Sequence, residues 1–136
     1  MSMTAEIISV GTELLLGNIL NTNAQYLSRE LAALGITVQR ESTIGDNHDR
    51  LADFVNEAKQ RCDLLVFTGG LGPTYDDMTK ETVAGVFGLA LEYHPEVMEE
   101  IQQYFDRVFH RPMPACNRQQ AMPVSYTHLR AHETSA

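Results

Sequence analysis

Apolar positions along the chain fall into short extended runs separated by stretches of helical spacing. Ile7-Ile8-Ser9-Val10 is a β-branched run closed by Gly11, and Thr37 to Ile44 is a second extended candidate closed by Gly45. Asp63-Leu64-Leu65-Val66-Phe67-Thr68 is the clearest strand, closed by Gly69-Gly70. Between the first two, Asn21 or Thr22 can cap a helix that carries Ala24, Leu27, Leu31 and Leu34 on one face and stops at Gly35. Asp46 or Asn47 can likewise cap a helix carrying Leu51, Phe54, Val55 and Ala58. Beyond the third strand the pattern predicts a helix from Thr79 to Phe87 and extended chain from Leu89 to Tyr93. A helix opened by Pro95 then carries Met98, Ile101, Phe105 and Phe109, and Arg111-Pro112-Met113-Pro114 breaks the pattern.

Strand and helix alternating at this spacing predict an α/β fold with a mainly parallel sheet, right-handed crossovers and helices on both faces. Ligands bind such sheets at the carboxyl ends of the strands. Gly11-Thr12-Glu13, Gly45-Asp46-Asn47 and the loop from Gly69 all fall there, so three loops are expected to converge on one site.

With 136 residues, 43% of them apolar, the chain suits one domain with a real core. Eighteen acidic against 10 basic side chains give a net charge of −8, which argues against a nucleic-acid partner and for a small ligand. The N-terminus has no basic signal region, and no apolar run approaches the ~18 residues that span a bilayer. A cytoplasmic, membrane-free protein with Cys62 and Cys116 reduced is the expectation.

The segment Thr68-Gly69-Gly70-Leu71-Gly72-Pro73-Thr74-Tyr75-Asp76-Asp77-Met78-Thr79 carries the candidate chemistry. Glycines let backbone N–H groups approach an anion, and a following helix start adds positive potential. Asp76 and Asp77 would repel a phosphate unless a divalent cation such as Mg²⁺ stood between them. The combination reads as a metal-dependent phosphate or pyrophosphate site, although it is neither a Walker A loop nor a G-x-G-x-x-G fingerprint. The competing explanations are plain ones: a tight turn for the glycines, helix caps for Asp46, Asp76 and Asp77, a solvated loop carboxylate for Glu13 and a solvated side chain for Lys80.

Val124 to Thr134 closely resembles the in-frame translation of a sequencing-library adapter. Residues 1–123 are therefore expected to form the domain and 124–136 a non-native tail, so the i, i+4 pair His128 and His132 is not taken as a metal site.

Assembled, these motifs resemble the N-terminal domain of the CinA family of competence/damage-inducible proteins, itself similar to the MoaB/Mog molybdopterin-binding domains. The resemblance runs from about Ala5 to Met122 and rests on Ile8 to Gly17, Asn21-Thr22-Asn23-Ala24, Gly45-Asp46-Asn47, Thr68 to Thr79 and Asn117 to Ala121. Gly69, Gly70, Gly72, Asp77 and Thr79 map onto the Gly-Gly-x-Gly…Asp-x-Thr pattern of the molybdopterin domains, Asp46 matches a second acidic position, and Asp76 belongs to the CinA version.

The resemblance implies a three-layer α/β/α fold, incomplete at its C-terminus, and Mg²⁺-dependent hydrolysis of ADP-ribose by the intact domain. Asp46, Asp76 and Asp77 would hold or orient Mg²⁺ as the catalytic set, with Asp46 the first candidate for general base and Glu13 the second. Gly11, Thr12, Glu13, Gly69, Gly70, Gly72, Pro73, Thr74 and Thr79 would bind the substrate, with Tyr75 against a base or ribose. The rival expectations are a pterin- or nucleotide-binding module without turnover, and adenylyl transfer to molybdopterin. Complete members often carry a second, amidohydrolase domain, expected to be absent here; a homo-oligomer is a further expectation.

Overall fold

Strand β1 (Thr4–Val10) is the middle of the sheet and the best-buried element, with Glu6, Ile7, Ile8 and Ser9 all at or below 1% exposure. A computed structural model describes residues 3–122, apart from the side chain of Gln119. β1 pairs in parallel with β2 (Thr37–Ile44) on one side and with β3 (Leu64–Thr68) on the other, giving the order β2-β1-β3. The strand run expected to be clearest, β3, is thus an edge strand of the described sheet, and its side chains are half-buried.

Successive β1 side chains point to opposite faces, and each face meets its own helices. Ala5 and Ile7 pack with Ala24 and Leu31 of α2 (Thr22–Ala33). Ile8 and Val10 pack with Leu51, Val55 and Ala58 of α3 (His48–Ala58), joined by Val83 and Val86 of α4 (Thr79–Val86). This is the expected α/β/α layering. Burial of each such aliphatic side chain is worth roughly 1.5–3 kcal/mol, which is why alternation along one strand suffices to hold helices on both faces.

Three local features depart from the sequence expectation. A short helix, α1 (Thr12–Leu15), follows β1 directly. The segment Leu89 to Tyr93 forms no strand among the described residues; only Leu91 makes an isolated bridge. The Pro95 helix, α5 (Pro95–Tyr104), widens into a π-helical turn over Phe105–Phe109 before His110 turns left-handed, and a 3-10 helix covers Ala115–Ala121. The expected junction at Pro123 and the tail with His128 and His132 lie outside the described residues.

β1 also carries a charge into the core. Glu6 is fully buried and accepts hydrogen bonds from Arg61 Nε at 2.7 Å and Nη2 at 2.9 Å. The pair sits at the amino end of the sheet, away from the loops described next.

Candidate functional site

Asp46 and Asn47 are adjacent candidates for one cap, and the backbone decides between them. Asn47 is the N-cap of α3, its Oδ1 accepting the Arg50 N–H at 3.0 Å. Asp46 is thereby released to the neighbouring loop: its Oδ2 accepts the Thr12 N–H at 3.2 Å, while Thr12 Oγ1 accepts the Asp46 N–H at 3.0 Å. The Gly11 N–H adds a bond to the Ile44 carbonyl at 2.9 Å. The loops after β1 and β2 are therefore stitched together by three hydrogen bonds. Glu13, exposed in the first turn of α1, folds its carboxylate against Gly11. Asn21 caps α2 through Ala24 N–H and donates to the buried Ser9 Oγ at 2.7 Å, which fastens that helix start to the same strand end.

The loop after β3 arrives beside them. Gly69 and Gly70 both have positive φ, 81° and 66°, a conformation that L side chains rarely adopt. A Cβ on Gly69 would overlap the Val10 carbonyl oxygen, so this backbone lies directly on the end of β1. Thr79 is buried behind the loop, donating from Oγ1 to the Gly69 carbonyl at 2.8 Å and from its N–H to the Gly70 carbonyl at 3.1 Å. Both loop carbonyls are thus drawn toward α4. Thr79 acts through the loop's shape.

Asp77 organises the next turn. Its Oδ2 accepts the Thr74 hydroxyl at 2.7 Å and the Thr74 N–H at 3.0 Å, and the Asp77 N–H returns a bond to the Thr74 carbonyl at 3.1 Å. The Thr74 hydroxyl is the main cause holding its carboxyl below the ordinary value; partial burial opposes this, and the N–H groups of Thr74 and Gly72 add to it. Neither Asp76 nor Asp77 caps α4, whose N-cap is Met78 without a side-chain bond. Asp76 and Tyr75 stand exposed at the tip, while Gly72 and Pro73 are half-buried. Among the described residues no three His, Cys, Asp or Glu side chains are grouped to hold a metal ion, so Asp46, Asp76 and Asp77 do not form one ready-made cage.

A cavity of about 350 Å³ opens beside this turn, bordered on the loop side by Thr74, Tyr75 and Asp77. Its other walls are Met78, Glu81, Leu91 and Met122. Those four were not foreseen from sequence; the only available signal was Met78 and Glu81 falling three apart at a helix start, where they share a face. The thiols take no part in this site. Cys62 and Cys116 are free, and burial, with Glu6 nearby, pushes the Cys62 thiol up, away from a reactive thiolate. No helix among the described residues is long and apolar enough to cross a membrane.

The model of the family described as "probable molybdopterin binding domain" matches residues 6–133, a span that runs past the expected junction at Pro123. A competence-damage inducible protein of Alkaliphilus oremlandii is 59% identical over 103 residues, which cover 76% of this chain and 25% of that protein. Its counterpart in Caldicellulosiruptor saccharolyticus is 54% identical over 121 residues, covering 88% and 29% respectively. The chain thus spans between a quarter and three tenths of these relatives. The crystal structure of CinA from Thermoplasma acidophilum superposes with a TM-score of 0.79 at 30% identity, over 90% of this chain and 71% of that one. MoaB from Thermus thermophilus shares the fold, with a TM-score of 0.58 at 21% identity over 85% of this chain and 71% of its own. The chain belongs to the CinA family of competence-damage inducible proteins, through a domain of the molybdopterin-binding type.

Proposed function

We propose that the edge formed by the three strand-end loops binds a small molecule with a phosphate or diphosphate attached to a pterin or nucleoside, and that the domain hydrolyses the diphosphate, with ADP-ribose as the representative substrate. The observation that carries this is the meeting of the Gly11–Thr12, Asp46 and Gly69–Gly70 backbones at one end of the sheet. N–H groups of the glycine loop would take the phosphoryl oxygens, an arrangement that needs no side-chain cation.

The donor set fits Mg²⁺ only as an ion that arrives with phosphate oxygens and keeps several waters, which is its usual habit; one or two carboxylates then suffice. Asp46, with the outer Asp76 or Asp77, would supply them, because Thr12 and Thr74 engage only the Oδ2 atoms of Asp46 and Asp77. When bound, the ion would neutralise phosphate charge and acidify a water. The chain's own contribution is positional: Thr12 fixes the Asp46 carboxylate, Thr79 fixes the loop, and Asp46 accepts the proton of the attacking water. The water oxygen bonds to phosphorus as the bridging P–O bond breaks, and the departing phosphate takes up a proton, giving AMP and ribose 5-phosphate.

The test is product analysis with ADP-ribose and Mg²⁺, alongside calorimetry with ADP-ribose and adenosine. AMP plus ribose 5-phosphate supports hydrolysis. Diphosphate-dependent binding without turnover favours the binding-module reading, for which the molybdopterin-binding family match speaks, and an adenylylated pterin would mark transfer instead. Equal heats for adenosine and ADP-ribose would refute a phosphate-centred site.

A further inference from the structure

Resting on that reading, we propose that the cavity beside the loop takes the ligand's planar ring, and that Glu81 selects a ring bearing an exocyclic amino group over one bearing a carbonyl there. The cavity and the phosphate loop share Thr74 and Asp77, so a single molecule reaching from one to the other would place its ring against α4. At about 350 Å³ it falls in the range of small-molecule sites and accommodates a bicyclic ring.

Its walls suit a flat aromatic. Met78, Leu91 and Met122 are apolar, and thioethers pack favourably against aromatic rings. Tyr75, fully exposed at the mouth, offers a face for stacking. Among the lining residues of this apolar slot, Glu81 and Asp77 are the two carboxylates, and Asp77 is occupied with the Thr74 turn. Glu81 Oε1 lies 3.9 Å from Lys80 Nζ, beyond hydrogen-bond length, so the carboxylate keeps lone pairs for a ligand donor. A carboxylate accepts from an amino group and repels a carbonyl oxygen. The 6-amino group of adenine and the 2-amino group of a pterin both answer this description.

Two matched pairs separate these sources. ADP and IDP differ by amino against oxo at the purine 6-position; 6-hydroxymethylpterin diphosphate and the corresponding lumazine diphosphate differ the same way at the pterin 2-position. With Mg²⁺ present, calorimetry on this chain should show one pair in which the amino member binds about tenfold or more tightly, the scale of a hydrogen bond to a charged acceptor. Which pair responds identifies the ring. In Glu81→Gln the preference should fall to within about twofold, with the thermal midpoint little changed because the Glu81 side chain is 37% exposed and its 3.9 Å ion pair with Lys80 is a loose one. Equal binding of amino and oxo members in both pairs, or a preference that survives in the Gln variant, overturns the proposal while leaving the phosphate site standing. Failure of every diphosphate to bind overturns both.

Discussion

The close approach of the glycine loop to β1 can be tested by placing a single methyl group at two glycines of matched backbone. Gly69 and Gly35 have nearly the same φ, 81° and 80°, but a Cβ on Gly35 meets nothing within 4 Å, whereas on Gly69 it overlaps the Val10 carbonyl oxygen with the carbonyl carbon 3.2 Å away. Gly35→Ala therefore carries only the left-handed penalty of about 1–2 kcal/mol. Gly69→Ala carries the same penalty plus a steric term of the size found for overpacked sites, about 1–3 kcal/mol, because the obstacle is backbone and cannot swing aside. Urea unfolding should place the two variants at least about 1 kcal/mol apart, or roughly 4 °C in thermal midpoint for a domain of this size. Calorimetry with ADP-ribose should show binding retained in Gly35→Ala and lost in Gly69→Ala. A Gly69→Ala variant no less stable than Gly35→Ala would refute the close approach, and one that binds normally would remove the loop from the site.

Other perturbations separate support from chemistry. Asp46→Asn should lower the rate of ADP-ribose cleavage and raise the Mg²⁺ concentration it requires, with less effect on stability, since an amide oxygen still accepts the Thr12 N–H; unchanged turnover at saturating Mg²⁺ would exclude Asp46 from the reaction. Asp77 has a lowered carboxyl pKa, so its stabilising effect is fully present above the ordinary value of 3.8 and disappears as pH falls through its lower folded value. Thermal melts taken into strong acid should then show a steeper loss for the native chain than for Asp77→Asn, and parallel curves would count against the Thr74 turn. Arg61→Met should destabilise the fold by stranding the buried Glu6, and Glu6→Gln combined with it should recover part of the loss in urea melts; no recovery would mean that Arg61 acts by packing alone.

The layering was legible because strand and helix alternate along the chain. Ile7 and Ile8 face opposite helices, and the spacing of Ala24 and Leu31 on one helix and Leu51, Val55 and Ala58 on another tells which faces must be covered. Strand order was less legible. β3 is the clearest strand in the sequence, from its five apolar or β-branched residues, yet β1 holds the centre, where Glu6 and Ser9 interrupt the apolar pattern. Those two polar residues are tolerated because partners distant in sequence satisfy them, Arg61 for Glu6 and Asn21 for Ser9. Hydropathy along a single strand carries no trace of such partners.

The same limit explains the site. Three loops at one sheet edge follow from strand-helix alternation alone, and the glycines announce themselves by type. Whether Asp46 or Asn47 caps α3 cannot be decided from composition, because both side chains make good caps. The outcome sets what the edge can do: with Asn47 holding the helix, the Asp46 carboxylate bonds across to Thr12 and stands among the loops rather than within its own helix. Asp77 shows the converse, a carboxylate whose sequence position suggests a metal ligand and whose hydrogen bonds are spent on Thr74. Two acidic residues that match one family pattern are thus physically unlike. If cleavage of ADP-ribose is found, two substitutions should separate them, with Asp46→Asn reducing turnover at unchanged loop stability and Asp77→Ala, which leaves the Thr74 N–H and hydroxyl without their acceptor, reducing both together through the loss of the Thr74 turn.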